Sequence, residues 1–390
     1  MRVDTHMRFV VLLLLVLAWP VCGGEERSKK DLLAALSDPN YQVRRKAVLA
    51  VEGRKEPELL DRVLEIAEFD PHSNIRGYAA DVLGTVRGDK RVFPLLAKMA
   101  DKEDYGPQTH AFVALGKLGD PRAKRILLDG LGRQRGMRGY AAKGLGLLGD
   151  PEGFQPVARL LLEHADDPYV ADMAPEALVR MLKPDALVFL RKHFVALPSH
   201  ARVSVAWVLG RHPDEKTRVM MEDLLKSEDR AVRLPAIHVL SELKNKKSTP
   251  ALLAHFARQP EERAPVVEAL GKARDARAVA PLVAALRGEN ELLVKMRLIE
   301  ALGRLGDKTA IEVLLPLIDD TTLLPQPQVS AIWGFPWNAR VHGAAVWAIL
   351  TIHNGKEPFP LSDLSNFRDG KPPARIAKDV AAIREWAGDR

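Results

Sequence analysis

The sequence predicts an all-α protein, a right-handed superhelical α-solenoid of about ten two-helix repeats. A short helical motif recurs along the chain at a nearly constant interval, with one longer interval near the C-terminus. No stretch alternates between apolar and polar residues for long enough to indicate a β-strand. A period of about 31 residues accommodates two short helices and two turns, and units of that size stack on their neighbours into a solenoid.

The motif is centred on a leucine or valine and is clearest in residues 137–151. The residue four positions earlier is apolar in every repeat and is most often alanine, so both share one thin helix face. We therefore expect the helices of neighbouring repeats to approach closely through this face. The central residue of each repeat, called the repeat leucine below, falls at Val51, Leu83, Leu115, Leu145, Leu178, Leu209, Leu240, Leu270, Leu302 and Leu350.

Glycine, aspartate and proline mark the turns between the helices. Gly119-Asp120-Pro121 and Gly149-Asp150-Pro151 predict a glycine C-cap, an aspartate N-cap and a proline in the following first turn. A second helix follows each turn, as in residues 122–131 and 278–286, where apolar residues fall three and four apart.

A basic residue stands seven positions before the repeat leucine in most repeats. These residues are Arg44, Arg76, Arg138, Arg202, Arg233, Arg263 and Lys295. The order Val/Ile-Arg, Ala-Ala, Ala-Leu-Gly and Gly-Asp-Pro resembles the HEAT-like repeats of the phycobilisome-lyase type, over residues 27–353. This resemblance implies that the helix carrying Val-Arg and Ala-Leu-Gly lines the concave side of the solenoid.

The arginines themselves admit two interpretations. They could form an anion-binding stripe along the array. Alternatively, each could pair with carboxylates or carbonyls at the repeat turns and so tie the repeats together, and this is the interpretation that we favour.

The N-terminus is typical of an export signal. Two arginines precede an apolar run over residues 9–19, and small residues follow up to Gly23, so we expect residues 1–23 to be a cleaved signal peptide. We interpret the chain as an exported bacterial protein of the periplasm, cell envelope or extracellular space. Cys22 is the only cysteine, and it is either lost with the signal or lipidated as in a lipoprotein. If it is lost, the mature chain has no thiol and uses no cysteine chemistry.

The C-terminal part departs from the repeat in two places. The longer interval, between Leu302 and Leu350, contains an insertion over residues 321–338. The prolines of this insertion prevent it from forming one helix. Residues 354–390 are predicted to form a loop followed by an amphipathic helix. We expect this part of the chain to cap the last repeat.

The net charge and the sequence motifs limit which functions are expected. The net charge of +7 is a modest bias over a long surface, and binding to nucleic acid is an unexpected role for an exported chain. Binding to a membrane is expected only if Cys22 is lipidated. The glycines of residues 144–149 have dinucleotide-binding spacing, but they lie in and at the end of a predicted repeat helix rather than after a strand.

The sequence contains no His-Glu dipeptide, whereas deoxyhypusine hydroxylases, which are iron enzymes built from similar repeats, carry such dipeptides in corresponding helices. It also contains no recognisable nucleophile with its base. We therefore predict no metal, no cofactor and no catalysis. We interpret the chain as an interaction scaffold that binds an extended segment or a protein surface along its concave side. The alternative is a repeat-type enzyme or enzyme partner, such as a bilin-lyase-like or chaperone-like factor.

The candidate site is a surface for an unidentified protein or peptide partner. Its predicted centre is Trp207 beside His238, on an apolar floor of Val203 and Leu234, with Glu176 and Glu268 as flanking acids. Trp207 either anchors a partner or fills the groove between two helices. Trp333, Phe335 and Trp337 of the insertion either contribute to binding or cover the last repeat.

Overall fold

The computed structural model describes residues 28–101, 105–320, 322, 341–355 and the three positions 381, 383 and 385. Within these residues the chain consists of α-helices, short 3-10 turns and loops, without a β-strand, as an all-α solenoid requires. The predicted signal peptide, nearly all of the insertion and residues 356–380 lie outside the described residues.

The described helices alternate between a first and a second helix of each repeat. They are α1 Lys29–Leu36, α2 Tyr41–Ala50, α3 Pro57–Phe69, α4 Ser73–Leu83, α5 Val92–Asp101, α6 Tyr105–Leu118, α7 Ala123–Gly130, α8 Met137–Leu148, α9 Phe154–Glu163, α10 Pro168–Met181, α11 Lys183–His193, α12 Ser199–Arg211, α13 Glu215–Leu224, α14 Arg230–Leu243, α15 Thr249–Arg258, α16 Arg263–Ala273, α17 Val279–Gly288, α18 Leu292–Leu305, α19 Ile311–Leu314 and α20 Val341–Asn354. Seven 3-10 turns interleave with them: Pro151–Gly153, Phe194–Ala196, Lys246–Ser248, Pro260–Glu262, Ala276–Ala278, Lys308–Ala310 and Leu315–Asp319.

The chain divides into two compact units, residues 20–209 and residues 210–390, called the N-terminal and C-terminal units below. The even-numbered helices carry the repeat leucines, apart from Val51, which directly follows α2. Those of the N-terminal unit are at most 5% exposed and those of the C-terminal unit at most 3%, so they form the core of their units. The predicted right hand and the concave side concern the whole superhelix and stay predictions.

Glycine allows successive even-numbered helices to approach closely. A Cβ on Gly146 in α8 would lie 2.5 Å from the Cα of Ala177 in α10. In the C-terminal unit, a Cβ on Gly271 would lie 2.9 Å from the Cα of Ala301. The glycine after the repeat leucine therefore marks a backbone contact between repeats, which confirms the predicted close approach.

The Gly-Asp-Pro turns have the predicted caps. Gly119 and Gly149 are left-handed, with φ of 70° and 74°, at the ends of α6 and α8. Asp150 accepts a hydrogen bond from the Glu152 amide, and Asp120 accepts one from the Arg122 amide. In each turn the glycine therefore ends one helix, and the aspartate side chain caps the start of the next element.

The insertion starts and ends at one point of the C-terminal unit. The His342 amide donates to the Asp320 carbonyl at 2.8 Å, and the Val341 amide donates to the Thr322 carbonyl at 3.1 Å. Of the predicted capping helix, only positions 381, 383 and 385 are described; they are helical, and Ile383 is buried.

Candidate functional site

The basic residues seven positions before the repeat leucines are called the arginine ladder below. Two of them, Arg44 and Arg233, join neighbouring repeats, one in each unit. Arg44 donates two hydrogen bonds to the Asp70 carboxylate of the next repeat, at 2.7 and 3.0 Å, and a third to the Asp38 carbonyl. Arg233 repeats this arrangement with Glu262 and with the carbonyls of Ser227 and Glu228. The predicted pairing with carbonyls and carboxylates is thus found. The carboxylate comes from the following repeat, and Asp38 contributes its carbonyl.

The Glu262 carboxylate is the most enclosed of these partners. It also accepts from the Nε2 of His255 at 2.8 Å, while the Nδ1 of His255 faces the Leu225 carbonyl at 3.1 Å. The side chains of Glu262 and His255 are both fully buried. Desolvation works to raise the pKa of Glu262, but the hydrogen bonds from Arg233 and His255 outweigh it and lower that pKa. The ladder is therefore an internal brace of the stack.

Trp207 and Val203 lie four residues apart on α12 and are both exposed in the N-terminal unit. Their exposed fractions are 48% and 57%, which leaves a large apolar area on an even-numbered helix. A side chain that fills a groove between helices is far more enclosed than this.

Leu234 and His238 lie four residues apart on α14, in the C-terminal unit. Leu234 is half-buried and His238 is exposed at the surface. Packed atoms around the imidazole nevertheless desolvate it in part, which lowers the pKa of His238 despite the opposing carboxylate of Glu242. The expected proximity of Trp207 and His238 stays a prediction, because the two residues belong to different units.

The two predicted flanking acids are engaged in ion pairs. Glu176 contacts Arg180 at 3.3 Å, in the N-terminal unit. Glu268 contacts Lys272 at 2.9 Å and Arg297 at 3.5 Å, in the C-terminal unit.

Ion pairs continue along this face of the C-terminal unit. Lys272 also reaches Glu242 on α14, at 2.9 Å, and so joins α14 to α16. Desolvation works to lower the pKa of Lys272, but the two neighbouring carboxylates of Glu268 and Glu242 raise it overall. The acids on this face are thus matched by cations from neighbouring helices. Trp333, Phe335 and Trp337 lie outside the described residues.

Tyrosine is a feature of this surface that the sequence reasoning missed. All five tyrosines of the chain lie on even-numbered helices of the N-terminal unit, and we call them the tyrosine surface: Tyr41, Tyr78, Tyr105, Tyr140 and Tyr169. Three fall nine or ten residues before a repeat leucine and two fall five before it. This repeated register, confined to one half of the array, was the available signal.

The rings contact one another across repeats. Tyr41 lies 4.8 Å from His72, Tyr140 lies 5.4 Å from Tyr169, and Tyr78 lies 5.7 Å from His110, measured between ring centroids. Such distances are typical of stacked and edge-to-face aromatic pairs. The tyrosine surface therefore extends over five successive repeats.

Two glycines make room for these rings. A Cβ on Gly136, which has φ of 89°, would lie 2.8 Å from the hydroxyl oxygen of Tyr105. That hydroxyl reaches past α8 to a hydrogen bond with Tyr169 on α10, and desolvation together with this neighbour raises the pKa of Tyr105. A Cβ on Gly139 would lie 2.5 Å from the backbone of Tyr169. The Tyr105 phenol therefore stays protonated and keeps its hydroxyl hydrogen.

Charged groups flank the rings without a dominant sign. Asp81 contacts the Nδ1 of His110 at 2.8 Å, and Arg45 stacks over the ring of Tyr78. Desolvation raises the pKa of Asp172, and the nearby Lys143 offsets only part of this effect. The tyrosine surface is thus aromatic, rich in hydrogen-bonding groups and mixed in charge. Tyr41 and Tyr105 are exposed, and Tyr78, Tyr140 and Tyr169 are half-buried.

The described residues contain neither a cluster suited to a metal ion nor a helix suited to a membrane. Among them, no group of three or more histidine, cysteine or acidic side chains has the geometry to hold a metal ion. None of their helices combines the length and the apolar character needed to cross a bilayer.

Paired helices stacked through thin faces, with exposed and half-buried aromatic side chains on the second helices, define a helical-repeat protein. Within that class the chain belongs to the HEAT-repeat family. The model of HEAT repeats matches residues 29–107, 61–136, 198–264 and 257–324, which together cover more than half of the chain. A comparison with curated proteins found no match.

Solved structures with a similar fold are distant in sequence. Importin beta is 12% identical, with a TM-score of 0.52, over 91% of this chain and 55% of that one. The CpcE–CpcF complex of phycocyanin lyase from Nostoc sp. is 17% identical, with a TM-score of 0.32, over 74% and 98%. Human deoxyhypusine hydroxylase is 21% identical, with a TM-score of 0.29, over 76% and 96%. These likenesses concern the fold alone.

Proposed function

We propose that the protein is a non-catalytic interaction scaffold that binds an extended polypeptide segment along the even-numbered helices of its N-terminal unit. The observation that carries this proposal is the tyrosine surface, together with the exposed Val203 and Trp207 on the same unit. Tyrosine and tryptophan dominate the binding energy of protein interfaces, because they combine a large apolar area with a polar group.

The spacing of the helices suits an extended segment. Packed helices lie about 8–10 Å apart, which is the length of about three residues of extended chain at roughly 3.3 Å each. A bound segment would then place one side chain near each repeat. Because the rings stand on helices that are already packed, little conformational entropy is lost when the surface binds.

A selection for binding peptides tests this proposal. The purified chain is used to select peptides from a random display library, and calorimetry then measures the affinity of a selected peptide for variants. We expect Trp207→Ala and Tyr140→Ala each to weaken binding about tenfold or more. Phe69→Ala is the matched control, because Phe69 is 71% exposed at the end of an odd-numbered helix of the same unit.

Two results would count against the proposed surface. One is a selected peptide that binds both variants as tightly as the parent chain. The other is an equal loss of affinity in Phe69→Ala. Thermal unfolding of each variant separates a lost contact from a lost fold.

We further propose that the protein is exported and that residues 1–23 are removed. This proposal rests on the sequence of the N-terminus. Intact-mass measurement of the protein from its own cells tests it, since a chain that still starts at Met1 or Met7 would contradict cleavage. A lipid on Cys22 would appear in the same spectrum and would indicate a membrane-tethered scaffold.

The alternative function is that of a repeat-type enzyme or enzyme partner, bilin-lyase-like or chaperone-like. This alternative requires a bound chemical group or a client protein, whereas the scaffold function does not require a bound group. A metal or chromophore that copurifies with the protein, or a covalent adduct formed on an apo-phycobiliprotein, would favour this alternative over the scaffold.

A further inference from the structure

Two residues of the C-terminal unit adopt a backbone conformation that favours glycine. Lys244 and Arg274 both have φ of 50°, and each stands four residues after a repeat leucine at the end of an even-numbered helix. In three other repeats this position is a glycine with φ between 70° and 74°: Gly119, Gly149 and Gly306. Glycine is the usual residue of a left-handed C-cap because it has no Cβ. A long cationic side chain is therefore the strained choice at this position.

The two side chains extend a group of exposed cations. Lys246 and Lys247 share the α14–α15 turn with Lys244, and Arg277 shares the α16–α17 turn with Arg274. All five are exposed, and we call them the basic ridge. Arg277 donates to the Lys246 carbonyl at 2.8 Å, which connects the two turns directly.

Few carboxylates oppose this charge. Asp275 lies in the ridge, but it is buried as an N-cap and is already paired with Arg277 at 2.6 Å. Lys247 contacts Glu215 at 3.4 Å. Among the described residues, Lys244, Lys246 and Arg274 form no ion pair with a carboxylate. The ridge therefore has a net positive charge that faces solvent.

We propose that the basic ridge binds an acidic segment of a polypeptide partner. This proposal rests on the proposed function only in taking a polypeptide as the partner, since it concerns a different surface in the other unit. The cationic turns belong to adjacent repeats, about 8–10 Å apart, so carboxylates on every third residue of an extended chain would meet successive turns. The ridge turns hold no large exposed apolar side chain, and insertion into a membrane interface needs such groups.

Replacement by glycine separates binding from stability. The variant Lys244→Gly/Arg274→Gly removes two charges and gives both turns the residue that the Gly-Asp-Pro turns already use. Relief of strain and the larger entropy of the unfolded chain oppose each other, so we expect its Tm to stay close to that of the parent. The control is Arg258→Gln/Arg287→Gln, which removes the same charge at the ends of α15 and α17, at the opposite edge of the repeats.

The probe is a fluorescein-labelled peptide of four Glu-Gly-Ser units, so that a glutamate stands at every third position. Fluorescence anisotropy measures its affinity for the full chain at low salt. We expect the glycine variant to weaken binding about fivefold, as for two exposed charge contacts, and the control to stay within about twofold of the parent. Raising the salt from about 50 to about 200 mM should reduce the difference between parent and glycine variant.

Equal affinity of the parent and the glycine variant would overturn the proposal, and so would an equal loss in the control. Vesicles rich in phosphatidylglycerol and a single-stranded oligonucleotide serve as competing anions. If either depends on the ridge while the peptide does not, the acidic-polypeptide partner is ruled out. Because Trp207→Ala tests the other unit, failure of the ridge leaves the tyrosine surface unaffected, and the reverse also holds.

Discussion

Glu262 offers a sharp test of the arginine ladder, because its neighbour Glu261 is a built-in control. Both acids approach Arg233, but the side chain of Glu262 is fully buried and that of Glu261 is 54% exposed at 3.9 Å. Glu262→Gln would leave the guanidinium of Arg233 buried beside backbone carbonyls without its carboxylate. Loss of one partner of a buried ion pair costs about 3–5 kcal/mol, and glutamine retains one oxygen acceptor, so we expect about 3 kcal/mol.

Urea unfolding of the parent and both variants, followed by circular dichroism, measures this difference. Glu261→Gln should change the free energy of unfolding by no more than about 0.5 kcal/mol, because exposed ion pairs contribute little. In the double variant Arg233→Met/Glu262→Met, the buried charges are removed together, so most of the lost stability should return.

The reasoning would be refuted if the two glutamine variants had equal stability. It would also be refuted if the double methionine variant were less stable than Glu262→Gln alone. Either result would mean that the buried carboxylate is not what braces the C-terminal unit at this turn.

Three further predictions concern the N-terminal unit. Gly146→Ala should destabilise the chain by about 1–3 kcal/mol in urea unfolding, because the added Cβ meets the backbone of the next helix; Gly288→Ala, with nothing within 4 Å, should not. Asp70 is desolvated, which raises its pKa, but hydrogen bonds from Arg44 and the His72 amide lower that pKa overall. Its contribution is therefore present above the unfolded pKa of about 3.9 and is lost as the pH falls through the lower folded pKa. The Tm difference between the parent and Asp70→Asn should accordingly shrink below about pH 4. Packed atoms partly desolvate the exposed Asp172 carboxylate and raise its pKa, so Asp172→Asn should have a Tm close to or slightly above the parent's.

The sequence alone predicted the repeat architecture well, because each repeat encodes its contacts locally. The recurring leucine, the alanine four residues before it and the Gly-Asp-Pro turns all act within a single repeat. Helix caps and thin faces depend on such short separations. These features occupy the expected positions in the described helices.

The partners of the ladder could not be derived from the same pattern. Arg44 pairs with an aspartate and Arg233 with a glutamate, each in the following repeat but in turns of different shape. Asp38 stands six residues before Arg44, and its carbonyl accepts a bond from Arg44, but the carboxylate partner is Asp70. A contact between repeats depends on how the turns superpose, which sequence spacing leaves open.

The candidate surface was predicted only in part. Trp207 was singled out because a large aromatic residue stands at mid-array, one repeat before His238 at the same register. The tyrosines were missed because they fall at two registers rather than one. The left-handed conformation of Lys244 and Arg274 has no sequence signal of its own, since only comparison with Gly119, Gly149 and Gly306 reveals it.

The hydrogen bonds between Asp320 and His342 and between Thr322 and Val341 fasten both stems of the insertion at a single point. Lengthening a segment whose ends are already joined adds only a small closure entropy, about 0.6 kcal/mol for each doubling. A change in the length of residues 323–340 therefore costs little closure entropy. As far as closure entropy is concerned, homologous arrays could carry loops of very different length at this junction at similar stability.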